Sequence, residues 1–294
     1  MSGTDSTYRI LRATCLIAAI AAFIGCNTIR FNIADQKIVI DGFIEDGGHP
    51  VVTVTGSIPV SSEYIEYSSL DRYVLRWAKV TVTGPEGEVV LTGQKSDKYF
   101  PPYIYTTGRM TGKAGEEYHV RVQYGDAIAE ASTTIPDPVE LSGLRIERKD
   151  ETSDSYMIKA LIKDNPDVKN FYRFFVKVEK KDSSYLPSFM GVVDDSIIKT
   201  DGTEMDVCRG MKITANMFDQ YYTAGDKVHI KFASMDKDSY NYWNDYENLF
   251  AFSRNPFFPS SIKIRSNVRG GLGIWAGYGS VEYSIAIPVN PDID

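Results

Sequence analysis

Apolar and polar residues alternate with a period of two through most of the chain after Lys37. Val51–Thr55, Trp77–Val82 and Tyr118–Tyr124 show the pattern most clearly. Successive side chains of a strand point to opposite faces, so this alternation predicts strands with one buried face. Trp77–Val82 is predicted as one half-buried strand. The pattern therefore predicts a mainly β chain.

Two short turns join predicted strands into hairpins. Gly84-Pro85-Glu86-Gly87 follows the strand that ends near Thr83, and Gly125-Asp126 separates Tyr118–Tyr124 from Ala127–Thr134. Glycine supplies the positive φ that such turns need. Short strands at this spacing are typical of a β-sandwich. We therefore predict an immunoglobulin- or fibronectin-like sandwich over residues 37–135.

A proline-rich segment interrupts the pattern at residues 136–139. Pro136 and Pro138 cannot donate sheet hydrogen bonds, which predicts an extended linker. Tyr156–Ile162 and Phe171–Lys180 then resemble strands that pair with each other. We predict that residues 140–294 form a second β-sandwich-like domain.

One helix is predicted inside this second domain, near residues 237–250. Tyr242, Tyr246 and Leu249 recur at helical spacing, and Asp236 is placed to cap the first turn. The expected fold is thus two β-sandwich-like domains with a single inserted α-helix.

The first 25 residues have the features of a secretory signal peptide. Arg9 and Arg12 precede an apolar run, Ala13–Ile24, which is shorter than the roughly 20 residues of a membrane-spanning helix. Phe23-Ile24-Gly25-Cys26 is similar to the lipobox of bacterial lipoproteins. We therefore predict lipidation of Cys26, with residues 26–36 as a lipidated tether to the membrane.

The mature chain is acidic and almost free of cysteine. Loss of Arg9, Arg12 and Asp5 with the signal changes the formal net charge from −7 to −8, which disfavours a nucleic-acid partner. Cys208 is then left alone, so no intrachain disulfide is expected, and we interpret it as a buried structural residue.

Several chemical motifs have simpler structural interpretations. The glycines of Gly270–Gly279 lie between strands, so they indicate a tight turn or close backbone packing rather than a dinucleotide loop. The three histidines lack metal-ligand spacing. No metal site, catalytic residue or cofactor is predicted. Asp194, Asp195 and Glu204 leave a hydrolase open as an alternative, because paired carboxylates can hydrolyse sugars.

An aromatic loop is the strongest candidate for a binding surface. Its prolines hold the segment extended, and tyrosine offers flat contact area at low entropic cost. The alternative is that these rings fold back onto the edge of the sandwich. The candidate residues are Tyr99, Phe100, Tyr103 and Tyr105, extended by Tyr64 and Tyr67.

The C-terminal region resembles a known lipoprotein family. Asn255-Pro256-Phe257 and Val268-Arg269-Gly270-Gly271-Leu272-Gly273-Ile274-Trp275 are similar to the closing signature of a Bacteroidota lipoprotein family described as domain of unknown function 4249. The resemblance extends along most of the mature chain. It implies an outer-membrane location and a TonB-dependent β-barrel receptor as partner, and it implies no catalytic residues.

Together these observations favour a non-enzymatic, lipid-anchored outer-membrane lipoprotein that is an accessory subunit of a TonB-dependent nutrient-uptake complex. A surface receptor that binds a glycan or peptide directly is the alternative, with a hydrolase after it. The sequence leaves open which face of the outer membrane the protein occupies.

Overall fold

The alternating segments form β-strands that lie in one large and two smaller sheets. The computed structural model describes residues 36–58, 67–151, 153–164, 168–212, 219–252 and 263–289. All of them fall within one compact unit, Ile33–Asp294. The predicted signal peptide, Cys26 and residues 27–35 of the predicted tether lie outside the described residues.

Strands and one helix account for the regular structure of the described residues. The strands are β1 Ile38–Glu45, β2 Val51–Gly56, β3 Lys79–Gly84, β4 Gly87–Val90, β5 Thr92–Lys95, β6 Tyr103–Thr106, β7 Glu117–Tyr124, β8 Ala127–Thr134, β9 Gly143–Arg148, β10 Ser155–Ile162, β11 Phe171–Val178, β12 Leu186–Asp194, β13 Thr203–Val207, β14 Tyr222–Thr223, β15 Lys227–Met235 and β16 Leu272–Ala286. The helix, α1, is Lys237–Phe252, and short 3-10 turns lie at Tyr67–Tyr73 and Asp195–Ile197.

The large sheet has the strand order β12-β11-β15-β16-β1-β2-β6-β5. Its centre is β16, which pairs antiparallel with β15 and parallel with β1. The parallel register runs from Val39–Leu272 to Glu45–Tyr278. One sheet therefore contains strands from both sides of the predicted linker at 136–139. The segments before and after the linker do not form two separate sets of sheets.

One face of the large sheet, here called the sandwich face, is covered by both smaller sheets. The sheet β4-β3-β7-β8 packs on the half that contains Trp275, whose indole Nε1 donates to Tyr118 O at 2.9 Å. The sheet formed by β9, β10, β13 and β14 packs on the other half, where Phe174 and Phe232 share a buried cluster with Ile158. This layering confirms the predicted mainly β, sandwich-like fold.

Glycines of β16 allow the chain to cross directly over this strand. A Cβ at Gly277 would lie 2.6 Å from Thr134 O, and one at Gly279 would lie 2.0 Å from Pro136 O. Contacts this short exclude any side chain. The predicted close backbone packing of this glycine-rich run is confirmed.

Helix α1 lies on the opposite face, here called the helix face. Asp236 caps it, because Ser239 N donates to Asp236 Oδ1 at 2.8 Å, as predicted. Trp243 of the helix packs 4.1 Å above the guanidinium of Arg173, which is fully buried and pairs with Glu247 at 3.1 Å. The predicted helix is confirmed, two residues longer than expected.

Two details of the sequence interpretation are wrong. β10 and β11 do not pair with each other: β10 pairs with β9, β13 and β14, whereas β11 pairs with β12 and β15. The connection carries the chain between layers instead of closing a hairpin. The strand predicted to start at Trp77 starts at Lys79.

Candidate functional site

A turn before β3 displays the most exposed large hydrophobic side chain of the described residues. Trp77 is 88% exposed, and it lies within a turn rather than in the predicted strand. Leu75 fixes the start of the turn, because its N–H donates to Val54 O at 2.9 Å and its side chain is buried. Tryptophan is enriched among the residues that dominate protein interfaces, so an indole this exposed is a candidate contact residue. We name residues 75–78 the Trp77 turn.

Tyr105 closes this turn from inside the protein. Its hydroxyl donates to Leu75 O and accepts a hydrogen bond from Ala78 N at 3.0 Å. One buried hydroxyl thus joins both ends of the turn. Burial, the main cause, raises the pKa of Tyr105 to about 12, so the hydroxyl keeps its proton at neutral pH. These two hydrogen bonds fix the shape of the turn.

Tyr103 supports the same turn from the neighbouring position. Its hydroxyl donates to Arg76 O at 3.3 Å, and its ring meets Tyr105 edge-on with centroids 5.6 Å apart. The Arg76 guanidinium lies 5.9 Å from the Tyr103 ring and binds both carboxylate oxygens of Asp71 at 2.6 Å. These contacts hold the Arg76 guanidinium between Asp71 and the Tyr103 ring.

The remaining residues of the predicted binding surface differ in their exposure and in whether the structure describes them. Phe100 is 46% exposed and follows Tyr99, which is half-buried. Burial and then the charge of Glu45 raise the pKa of Tyr99. Tyr64 lies outside the described residues, and Tyr67 is described only by its backbone, at the start of a 3-10 turn.

Tyr105 does not belong to a binding surface. It is only 2% exposed because its ring lies on the sandwich face, where β6 aligns it with Val52 of β2. The structure brings Tyr103 and Tyr105 together, but as supports under the Trp77 turn. The alternative of rings folded back onto the sandwich therefore holds for Tyr105.

Sequence reasoning missed Trp77 because it was counted as part of a strand. The alternation of apolar and polar residues around β3 already indicates that Trp77 is exposed. Trp77 is in phase with Lys79 and Thr83, which are exposed, and out of phase with the buried Val80 and Val82. A tryptophan in the polar phase of a strand pattern points away from the core.

The predicted acidic set is not assembled into one site. Lys169 forms ion pairs with Asp194 and Asp195 at the end of β12. Partial burial opposes ionisation of Asp194, but hydrogen bonds from Lys169 and Ser196 hold its pKa at about 2. Glu204 lies on β13 in another sheet and pairs with Arg145 at 2.6 Å. Asp194 and Asp195 therefore share one lysine, whereas Glu204 belongs to a separate ion pair in another sheet.

Cys208, the other potentially reactive group, is also a structural residue. Cys208 is buried, and desolvation, the main cause, raises its pKa to about 12, which disfavours the reactive thiolate. No group of three His, Cys, Asp or Glu side chains in the described part of the chain is placed to hold a metal ion. Within the same residues, no helix is long and apolar enough to span a membrane.

Sequence comparison gives the family. A family model described as Domain of unknown function (DUF4249) matches residues 27–284. The chain belongs to this family. A search of curated proteins found no match. The family match includes the Trp77 turn, the tyrosines that support it and the glycine-rich crossing of β16.

Proposed function

We propose that this chain is a non-enzymatic, lipid-anchored outer-membrane lipoprotein that docks onto a TonB-dependent β-barrel receptor as an accessory subunit. The observation that supports docking is Trp77, an indole 88% exposed on a turn that buried hydrogen bonds hold in place. Membrane attachment rests on the lipobox at Cys26, and the receptor as partner rests on the resemblance to the lipoprotein family.

The Trp77 turn has the properties of an interface hot spot. Tryptophan, tyrosine and arginine dominate the binding energy of protein interfaces, and the turn presents Trp77 and Arg76 above Tyr103. A turn fixed in advance loses little conformational entropy when it binds. Both properties favour a protein partner over a passive surface.

Co-purification tests the docking. A tagged chain extracted from its native membrane in mild detergent is expected to retain a β-barrel receptor, identified by mass spectrometry. Repeated recovery of the chain without any barrel protein would contradict the proposal.

Fractionation tests the anchor separately. Cys26→Ala is expected to move the protein from the membrane fraction to the soluble fraction without changing its fold, and Cys208→Ala is the matched cysteine control. A Cys26→Ala protein that stays on the membrane after a high-salt wash would exclude the lipid as anchor.

A surface receptor that binds a glycan directly is the second candidate. The exposed face of Trp77 favours it, because a flat apolar ring stacks on the apolar face of a sugar. Glycan-array binding by the purified soluble chain, lost in Trp77→Ala and kept in Ile197→Ala, would support this function. Ile197 is a suitable control because it is also exposed, at 53%.

A further inference from the structure

The first strand after the predicted tether begins at one end of the sandwich. β1 starts at Ile38, and its parallel partner β16 starts beside it, with Leu272 opposite Val39. β2 pairs antiparallel with β1 and therefore finishes at the same level, where Ser57 N donates to Lys37 O at 2.8 Å. We name this end of the molecule the tether end, and the end at which β16 finishes the far end.

The smaller sheet β4-β3-β7-β8 reaches the tether end as well. Glu130 of β8 exchanges two backbone hydrogen bonds, at 2.9 and 2.8 Å, with Arg269 just before β16. β3 begins at this level too, because Lys79 pairs with β7 close to the turn that joins β7 and β8. The Trp77 turn immediately precedes β3, so it also lies at the tether end.

Apolar side chains from three separate strands are exposed at the tether end. Ile58 follows β2 and is 41% exposed, Ile128 lies near the start of β8 at 39%, and Leu272 opens β16 at 37%. The backbones of β8 and the segment before β16 are in contact, because a Cβ at Gly270 would lie 2.3 Å from Ile128 O. We name Ile58, Ile128 and Leu272 the apolar rim. Single exposed apolar residues are common, so the rim draws its meaning from its place beside the tether.

Basic side chains accompany the apolar rim. Lys37, Lys79 and Arg269 are exposed, and in the part of the chain that the structure describes none of the three belongs to an ion pair. Asp126 is an exposed acid at the same end and offsets one of them. The whole chain has a formal net charge of −7. These three cations, here called the tether-end cations, therefore oppose the overall sign of the protein.

The length of the tether limits how the molecule stands on a membrane. Lys37 comes eleven residues after Cys26, and a chain of that length spans at most about 40 Å. β16 has 15 residues, so its two ends lie about 45 Å apart. With the far end on the bilayer, Lys37 would stand about 45 Å above the surface, beyond the reach of a tether fixed at Cys26. The tether end is therefore the end that a lipid on Cys26 can hold at the membrane.

We propose that the tether end rests on the bilayer surface, with the apolar rim in the headgroup region and the tether-end cations paired with lipid phosphates. This orientation rests on the lipid anchor of the proposed function and adds to it the surface that faces the membrane. A basic residue near an anionic membrane contributes about 1 kcal/mol, which is too little for three of them to replace the lipid. The contact therefore orients a molecule that is already anchored. It also places the Trp77 turn at the level of the bilayer, where a membrane-embedded receptor can contact it.

Fluorescence quenching in receptor-free vesicles tests the orientation. The lipidated chain, labelled with nitrobenzoxadiazole at Ile128→Cys or at Val289→Cys, is reconstituted into phosphatidylglycerol vesicles that contain lipids spin-labelled at the headgroup. Val289 follows β16 at the far end and is 74% exposed, and the buried Cys208 gives the background in the parent chain. Side chains in the headgroup region lie within about 5–10 Å of the quencher, so we expect at least about fivefold stronger quenching at position 128 than at position 289.

Charge variants test the part played by the cations. Lys79→Gln combined with Arg269→Gln is expected to lower the quenching at position 128 by at least about half, because each cation favours the anionic surface. Lys180→Gln is the matched control, since Lys180 is exposed in the turn between β11 and β12 at the far end. It is expected to change nothing, and circular dichroism checks that every variant folds.

Three results in protein that floats with the vesicles would overturn the orientation. They are equal quenching at positions 128 and 289, stronger quenching at 289, and no quenching at either position. Equal effects of the charge variants and Lys180→Gln would remove the tether-end cations from the contact. Flotation reports on the lipid anchor alone, and the vesicles contain no receptor, so failure of the anchor or of the docking is distinguishable from failure of the orientation.

Discussion

Trp77 and Trp275 occupy opposite extremes of the same fold. Trp77 is 88% exposed on a turn, whereas Trp275 is fully buried at the centre of the large sheet. Trp275 lies against Gly42, where a Cβ would come within 3.0 Å of its ring, and its indole nitrogen donates to Tyr118 O. Hydrogen bonds or packing contacts fix the position of both tryptophans. The difference is that the surroundings of Trp275 enclose the ring, while those of Trp77 hold the backbone and leave the ring free.

This contrast separates stability from recognition. A side chain that holds the fold together is covered on every side, and its loss opens a cavity. A side chain that serves a partner is exposed, and its loss changes the fold little. The two classes of substitution should therefore affect different measurements.

Truncation of the two tryptophans should have the largest and most unequal effects on stability. Trp275→Ala is expected to lower the free energy of unfolding by about 3–5 kcal/mol, because a large cavity forms and the Tyr118 carbonyl loses its donor. Trp77→Ala is expected to change it by less than about 0.5 kcal/mol. Urea denaturation of both variants measures the difference. Comparable losses would show that Trp77 also contributes to the core.

Crowding of the β16 crossing should have the next largest effect. Gly279→Ala would place a methyl group 2.0 Å from Pro136 O, which is a backbone atom and cannot turn aside as the end of a flexible side chain could. We expect a loss of about 1–3 kcal/mol or more by urea denaturation. Gly143→Ala is the matched control in a strand, because nothing lies within 4 Å of the added Cβ. If the two variants are equally stable, the crossing is looser than the distances indicate.

Removal of one buried hydroxyl should loosen the Trp77 turn. Tyr105→Phe leaves Leu75 O and Ala78 N without their partner, which is expected to cost about 1–3 kcal/mol. Tyr103→Phe removes only a 3.3 Å hydrogen bond near the surface, so its cost is expected to be smaller, about 0.5 kcal/mol. Tyr105→Phe should also weaken partner binding although the ring never touches the partner. Unchanged binding would mean that the fixed shape of the turn is unimportant.

Local patterns in the sequence predict local structure well. The two hairpins, the helix capped by Asp236 and the packed glycines of β16 all follow from turn chemistry or periodicity over a few residues. The parallel pairing of β1 with β16 does not, because more than 200 residues separate the strands and periodicity contains no information on partners. The same limit explains the wrong pairing of β10 with β11.

The candidate site was predicted in part for a related reason. Composition identified the aromatic loop, but it does not distinguish a tyrosine that contacts a partner from one that supports a turn. That distinction depends on where each hydroxyl finds its hydrogen bonds, and Tyr105 finds both of them inside the protein. Trp77 lies in the polar phase of the alternation, and the structure places it outside β3, which starts at Lys79.

A quantitative co-purification with matched variants tests the docking role of Trp77 most directly. Trp77→Ala and Val90→Ala both shorten an exposed apolar side chain, at 88% and 52% exposure, and both should leave the fold intact. We predict that Val90→Ala recovers as much β-barrel receptor from native membranes as wild type does, while Trp77→Ala recovers at most about a tenth, the loss of about 1.4 kcal/mol or more that a hot-spot tryptophan implies. Equal recovery by Trp77→Ala and wild type would contradict the account.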